Sequence, residues 1–346
     1  MSLRVLFSGE TPVGSAPTLA LAKAIRQEGA VAILDRGIWS GRIWNWISAI
    51  LDSDVVLFVE YTGPTNVSIW QYSLATMLGR PLVRWWVGSD VLNALENDVP
   101  AKMSKVLDSL VMANVTCAQH LVRELDGVGI NAKFILSPVD PTLAKVDSPV
   151  ALNRENILVY MPGARKDFYG FPILERLIPA NNDLNFIVVG DDTHSLAHHS
   201  NVRSMGWMED MSPIYDDAGC LIRITKHDGA PRMVLEALLQ GKYVIYAWEL
   251  SGCWLASTYE EAHAALQLFR QKSINANEEG RCAVRDMLRP DPSQQYLQLF
   301  EGVRNAVTPL LRLKAFGISV RYFLLDILGR AKHHVGSRKG TASECR

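Results

Sequence analysis

An α/β protein built from two parallel-sheet domains is what this sequence predicts, and three observations predict it. Short β-branched runs alternate with longer helical patterns along most of the 346 residues. The alternation breaks once, at 137–156, where "SPVDPTLAKVDSPVALNREN" carries three prolines and no apolar period, as an interdomain linker does. With 48% hydrophobic and 21% charged residues, the chain is globular and long enough for two cores.

The elements follow in order. "RVLFS" (4–8) reads as a strand, "APTLALAKAIRQEG" (16–29) as a helix closed by Gly29, and "VAIL" (31–34) as the next strand. "DVVLFVE" (54–60) and "RPLVRWWV" (80–87) are strands flanking a helix near 66–78. A helix ending near Asn114, another from Ala118 to Gly127 and a strand "AKFIL" (132–136) complete the first half. After the linker, "ILVYM" (157–161), "LNFIVVG" (184–190), "AGCLIRI" (218–224) and "KYVIY" (242–246) are strand-like, with helical patterns between them. Two Rossmann-like halves result, with parallel sheets facing a central cleft at the carboxyl ends of their strands. The expected division is 1–140 for the first domain, 141–155 for the linker, 156–307 for the second domain and 308–346 for an amphipathic helix with a basic tail.

Charge and cysteine usage exclude several classes. Lys plus Arg total 35 and Asp plus Glu 36, so no global basic field points to nucleic acid. Five scattered cysteines, without Cys-x-x-Cys, suit a reducing compartment. No signal-type h-region opens the chain, and the longest uncharged window, 61–79, contains Pro, Asn, Gln, Thr and Gly. The expectation is a cytoplasmic protein without a transmembrane segment.

The chemistry concentrates in "TKHDGAPRMVLEALLQGKYVIY" (225–246). A strand ends, "TKHDGA" turns, and Pro231 sits where a helix begins and its missing N–H costs nothing. Amides at a helix N-terminus favour phosphate, and Gly229 lets the backbone approach a ligand closely. Arg223 and Lys226 add positive charge nearby. Glu236, in the helix, is placed to accept hydrogen bonds from vicinal ribose hydroxyls, and Asp228 from a group beyond the phosphates. A second reading is open on the same residues. Arg232, Glu236 and Gln240, at i, i+4 and i+8, also fit a solvated helix stripe, and "HDG" an ordinary turn with Asp228 as a cap.

"HDGAPRMVLEALLQG" resembles the Glu-x7-Glu signature of retaining GT-B glycosyltransferases of the family 4 type, with Asp228 in the first acidic position and Glu236 eight positions on. "RVLFSGETPVGSAP" is similar to that family's first strand and glycine loop, "WWVGSDV" to a later strand end, and "NVRSMGWMEDM" to the strand and turn beside the base. The resemblance implies GT-B architecture and transfer of a sugar from a nucleotide sugar to a hydroxyl of a glycan or lipid-linked acceptor, with retention, in surface glycan assembly. It places the ribose on Glu236, the transferred sugar on Asp228, and the diphosphate on the segment Gly229, Ala230, Pro231 and Arg232, through the amides other than the proline's. Trp207 and Met208 would face the base, and Gly9, Gly14 and Ser15 would shape the donor loop.

Departures from the family pattern are specific. Its basic pair is displaced: "PGARKDFYG" has Ala164 and Tyr169 near those positions, with Arg165 and Lys166 as substitutes. Its N-domain His is absent, and Arg84, Trp85 and Trp86 occupy the neighbourhood. Asp90 is the nearest polar candidate for a catalytic part, or a helix cap. These departures keep open a non-catalytic nucleotide-sugar-binding subunit and a GT-B sugar-nucleotide epimerase.

No metal and no cofactor are expected, the nucleotide sugar being a substrate. His194, His198 and His199 in "DDTHSLAHHSN" read as a solvated loop without a convincing ligand set. His120 reads as structural, and His227 either as lining the site or as pointing its imidazole into the turn. The segment 308–340 alternates apolar residues at helical spacing with Arg and Lys, so it fits either a peripheral contact with an anionic membrane or a helix packed on the fold. "GIWSGRIWNWI" (37–47) would be a second membrane contact.

Overall fold

A computed structural model describes residues 2–9, 16–34, 43–59, 64–139, 152–272 and 275–340. Gly14, Ser15, most of the expected linker and the first part of the tryptophan segment lie outside the described residues. The chain forms two units, Met1–Leu136 with Asp291–Arg346, and Ser137–Pro290.

The first unit is a six-stranded parallel sheet. Its strands are β1 (Arg4–Gly9), β2 (Val31–Leu34), β3 (Val55–Val59), β4 (Leu82–Trp86), β5 (Val111–Thr116) and β6 (Ala132–Phe134), in the order β2-β1-β3-β4-β5-β6. Strand alternation divides the side chains between two cores. Val5, Phe7, Leu57, Val83 and Trp85 pack on one face, Leu6, Val56, Phe58 and Leu82 on the other. Burial on both faces is why β3 reads as a continuous apolar run, and β4 is buried throughout with Arg84 inside it. The helix Asn66–Met77 starts at a capping box, in which Thr65 and Ser68 satisfy each other's backbone N–H groups.

Two expectations change here. The helix expected to run to near Asn114 ends at Asp108, and β5 takes the following residues. Asn114 marks the reason: its side-chain oxygen accepts from Trp86 Nε1 at 3.0 Å and its amide donates to Asp108 at 2.6 Å, bonds that hold the strand in the sheet. The second domain, expected to reach 307, ends at Pro290. Helix Pro292–Val303 instead buries Tyr296 and Phe300 in the first unit's core. Helix Pro309–Gly340 packs Leu311, Ala315 and Ile318 on the opposite side of the same sheet.

The second unit is also a six-stranded parallel sheet: β7 (Asn156–Tyr160), β8 (Asn185–Val189), β9 (Val202–Gly206), β10 (Cys220–Arg223), β11 (Tyr243–Tyr246) and β12 (Trp254–Leu255). Its order, β12-β11-β10-β7-β8-β9, is the 3-2-1-4-5-6 order of a dinucleotide fold, read from the other edge. The chain therefore reverses direction across the sheet between β7 and β10. Ligands of such sheets bind beyond the carboxyl ends of the strands at that reversal. The segments that leave β7 and β10 there are 161–170 and 224–231.

Candidate functional site

The two segments are built against each other. Residues Gly163–Tyr169 form a short 3-10 stretch that ends on Gly170, whose φ of 76° suits glycine. A Cβ on Gly170 would stand 2.9 Å from the Ile224 carbonyl, so only glycine lets these segments touch. Lys226 N donates to Phe168 O at 3.0 Å across the same contact.

Asp228 is held at this seam. Its Oδ2 accepts from Arg223 Nε at 2.7 Å and from Thr225 Oγ1 at 3.4 Å, while Oδ1 accepts from Gly229 N at 3.0 Å. The ion pair is well shielded, with 8% of the Arg223 side chain and 14% of the Asp228 side chain exposed. Burial works against the Arg223 charge, yet the Asp228 carboxylate outweighs it and holds the guanidinium above its ordinary range. The guanidinium also lies over the rings of Tyr160 and Tyr169, at 4.9 and 5.3 Å. Burial, followed by Tyr169, pushes the Tyr160 hydroxyl pKa up. Arg223 thus positions Asp228 through its Nε.

Glu236 is held from two sides. Helix Arg232–Leu239 begins after Pro231, which occupies the cap position with ψ 126° rather than the first helical position. One turn in, Glu236 Oε2 accepts from Tyr215 Oη at 2.9 Å and Oε1 from Arg232 at 2.6 Å. Burial first, and Glu236 second, raise the Tyr215 pKa well above its usual value, so the hydroxyl stays a donor. Glu236 and Gln240 are both buried, and Val234 through Leu239 are buried without interruption. A solvated stripe is excluded by that burial. Asp228 lies in the turn ahead of that helix, where its Oδ1 accepts from Gly229 N, and Pro231 holds the cap position.

The rest of the expected set divides. The Gly229 carbonyl accepts from Tyr246 Oη at 3.0 Å, which fixes the turn ahead of the helix. First-turn amides have no partner within a helix, and a helix N-terminus favours an anion. Lys226 is exposed and His227 is buried, its ring edge-on to Trp248 at 5.4 Å. Arg165 lies over Phe168 at 4.2 Å and Lys166 over Phe171 at 4.2 Å, both on the segment leaving β7. At the end of β9, Trp207 is 71% exposed and its N–H donates to Asp192 Oδ1 at 3.2 Å, with Met208 half-buried beside it.

Asp90 belongs to the first unit. Its Oδ1 accepts from Gly88, Val91 and Val87 amides at 2.9 to 3.0 Å, so the carboxylate closes its own turn. Burial pushes its pKa up to about 6, against the lowering influence of Arg84 and these amides. The carboxylate thus ties down the turn that leads from β4 into helix Ser89–Glu96. Arg84 is buried with its guanidinium 3.5 Å from the Trp86 ring centroid.

Sequence reasoning missed Tyr215, Tyr160, Tyr246 and Thr225, which hold the two acids and the turn. Tyr215 lies in "SPIYDDAG", where neither spacing nor composition distinguishes it from a core tyrosine.

No protein-family model matches the sequence, and no curated protein does. Solved structures do match in fold. HepE of Anabaena, in complex with UDP and glucose, is 14% identical over 87% of this chain and 100% of its own, with a TM-score of 0.66. Sucrose-phosphate synthase from Thermosynechococcus elongatus is 12% identical over 88% of this chain and 100% of its own, with a TM-score of 0.68. A glycosyltransferase from Rickettsia africae is 13% identical over 87% of this chain and 98% of its own, at 0.62. The chain thus has the α/β architecture of GT-B glycosyltransferases, with two six-stranded parallel sheets and their helices.

Proposed function

We propose that the protein is a nucleotide-sugar-dependent glycosyltransferase that moves a hexose-type sugar to a hydroxyl of a glycan or lipid-linked acceptor with retention of configuration. One observation carries the proposal: a half-buried and a buried carboxylate, Asp228 and Glu236, each held by its own protein donors, flank the helix start at the point where the β7–β10 sheet reverses. Glu236 takes the ribose hydroxyls, Asp228 the hydroxyls of the transferred sugar, and the first helix amides the diphosphate. Arg165 and Lys166 supply cations to the leaving diphosphate, whose negative charge grows in the transition state. The exposed Trp207 offers a face for the base. UDP in the HepE complex is the first donor nucleotide to try. Thermal shift against UDP-, GDP- and other nucleotide sugars identifies the donor, since a ligand of the folded state raises the unfolding midpoint. Turnover with an acceptor then separates an enzyme from a binding subunit.

Helix amides and basic side chains neutralise the diphosphate in this scheme, so transfer is expected without a divalent ion at the donor. Protein treated with EDTA should keep its rate, and added magnesium or manganese should not raise it. A rate that collapses in EDTA and returns with magnesium contradicts the site as drawn.

We place the protein at the cytoplasmic face of an anionic membrane, in surface glycan assembly. No helix among the described residues is long and apolar enough to cross a membrane. Support comes from helix Pro309–Gly340: besides its packed face it exposes Leu310, Leu313, Phe316, Val320, Leu324 and Leu328. Trp44 is exposed as well, on helix Ile43–Leu51. An amphipathic cationic helix lies in the headgroup region of anionic lipid. The chain should sediment with anionic vesicles at low salt, and less so at high salt or after Arg330, Lys332, Arg338 and Lys339 are changed to Glu. Indifference to anionic vesicles at low salt defeats this placement.

A further inference from the structure

The loop between β8 and β9, expected to be solvated, is pinned on its inner side. Asp191 is buried and accepts from Thr193 N, Thr193 Oγ1 and Ser195 N at 2.6 to 3.0 Å, and Leu196 enters the core. On its outer side the loop brings His198 and His199 to Glu175 of helix Phe171–Leu177. One oxygen of Glu175 and the two imidazole nitrogens lie within 4.8 Å of one another. His194 goes elsewhere, with Nδ1 2.7 Å from Ser204 Oγ.

Ordinary hydrogen bonding leaves this cluster unfinished. His198 Nδ1 is 3.2 Å from the Ser195 carbonyl, an acceptor only, so that nitrogen carries the proton. Nε2 then meets Glu175 Oε1 at 3.0 Å, as a donor where the ring is charged and as a lone pair open to a cation where it is neutral. His199 Nε2 and Glu175 Oε2 are buried atoms without a hydrogen-bond partner, and they face each other at 3.6 Å. Protonating both rings would set two imidazolium ions 4.0 Å apart, centroid to centroid. One metal ion resolves all of these contacts. Zinc bonds of about 2.0 to 2.1 Å at tetrahedral angles put ligand atoms about 3.3 Å apart, inside the 4.8 Å within which one Glu175 oxygen and the two nitrogens lie.

We propose that His198 Nε2, His199 Nε2 and a Glu175 carboxylate oxygen bind one divalent ion of the zinc class, with water in the fourth position. The Ser195 carbonyl is the outer partner that fixes the His198 tautomer, as metal-ligating imidazoles generally require. The ion clamps helix Phe171–Leu177 to the β8–β9 loop. It stands apart from the sugar-donor chemistry and does not depend on that assignment. Imidazole and carboxylate ligands suit zinc, nickel and cobalt.

The test uses the full chain without a histidine tag, stripped with EDTA and desalted. Cobalt titration should give a ligand-field band in the visible that saturates at one equivalent, and zinc should displace it and raise the unfolding midpoint. His198→Ala with His199→Ala should abolish band and shift, and Glu175→Gln, which keeps the side-chain shape but removes a ligand charge, should weaken binding of both metals. His198 has 55% of its side chain exposed, so its truncation leaves the fold intact. Absence of the cobalt band together with an unmoved midpoint overturns the proposal. Undiminished binding in the double variant overturns it too, by placing the metal elsewhere.

Discussion

Asp228→Asn is expected to lose most sugar transfer and to lower stability at the same time. Asparagine keeps the shape but removes the charge opposite Arg223, whose side chain is 8% exposed. Removing one partner of a buried ion pair costs about 3–5 kcal/mol, because the remaining charge stays buried. The hydrogen bonds from a charged acceptor to the transferred sugar are also lost, about 1.5–3 kcal/mol, or about ten- to hundredfold in rate. The two effects separate in a cycle. Arg223→Met in the Asp228→Asn background should recover part of the stability and none of the rate, since it removes the stranded cation without restoring the acid. Thermal unfolding and single-turnover rates on the four proteins measure both. Wild-type rates in Asp228→Asn would remove this residue from the mechanism.

Glu236→Gln should do the reverse, leaving the fold and weakening the donor. The Gln carbonyl can still accept from Tyr215, and the amide faces Arg232, whose side chain is 26% exposed and can turn to water. The expected stability loss is about 1 kcal/mol, the size of one ordinary hydrogen bond. Donor affinity should fall about ten- to hundredfold, since a neutral amide replaces a carboxylate that receives two ribose hydroxyls. Free UDP should lose as much as the complete donor, because the contact is to the nucleotide.

Most of the fold was legible because its signal is local. Ten of the twelve strands carry an apolar run or resemble a family strand, and the exceptions are instructive. β5 was hidden because "VMANVT" has Ala and Asn where a strand pattern needs apolar residues, and its Asn114 is satisfied by side chains from elsewhere in the fold. β12 has only two residues, too few for any period. The boundary at Pro290 was missed because helix Pro292–Val303 reads like any amphipathic helix, and only packing decides which sheet Tyr296 and Phe300 cover.

The acids of the candidate site were legible for a different reason. Glu236 interrupts an apolar run, and an acid in a buried helix face demands partners. Those partners, Tyr215 and Arg232, were legible only in part: Arg232 lies four residues away on the same helix, whereas Tyr215 comes from helix Ser212–Asp217. Arg223 was recognised as a charge, but its ion pair with Asp228 was not, because nothing in the spacing of the two residues marks it. The Glu175 cluster shows the same limit. Two neighbouring histidines were visible, but the carboxylate that completes the set lies more than twenty residues earlier, brought near by the β8 crossover.

Calorimetric titration of the stripped, full-length protein with the nucleotide sugar selected by thermal shift tests the central claim most directly. The account predicts one saturable site per chain, the same enthalpy with and without magnesium, and an affinity about ten- to hundredfold weaker in Glu236→Gln. Equal affinity in wild type and Glu236→Gln, or no binding by any sugar nucleotide, would contradict it.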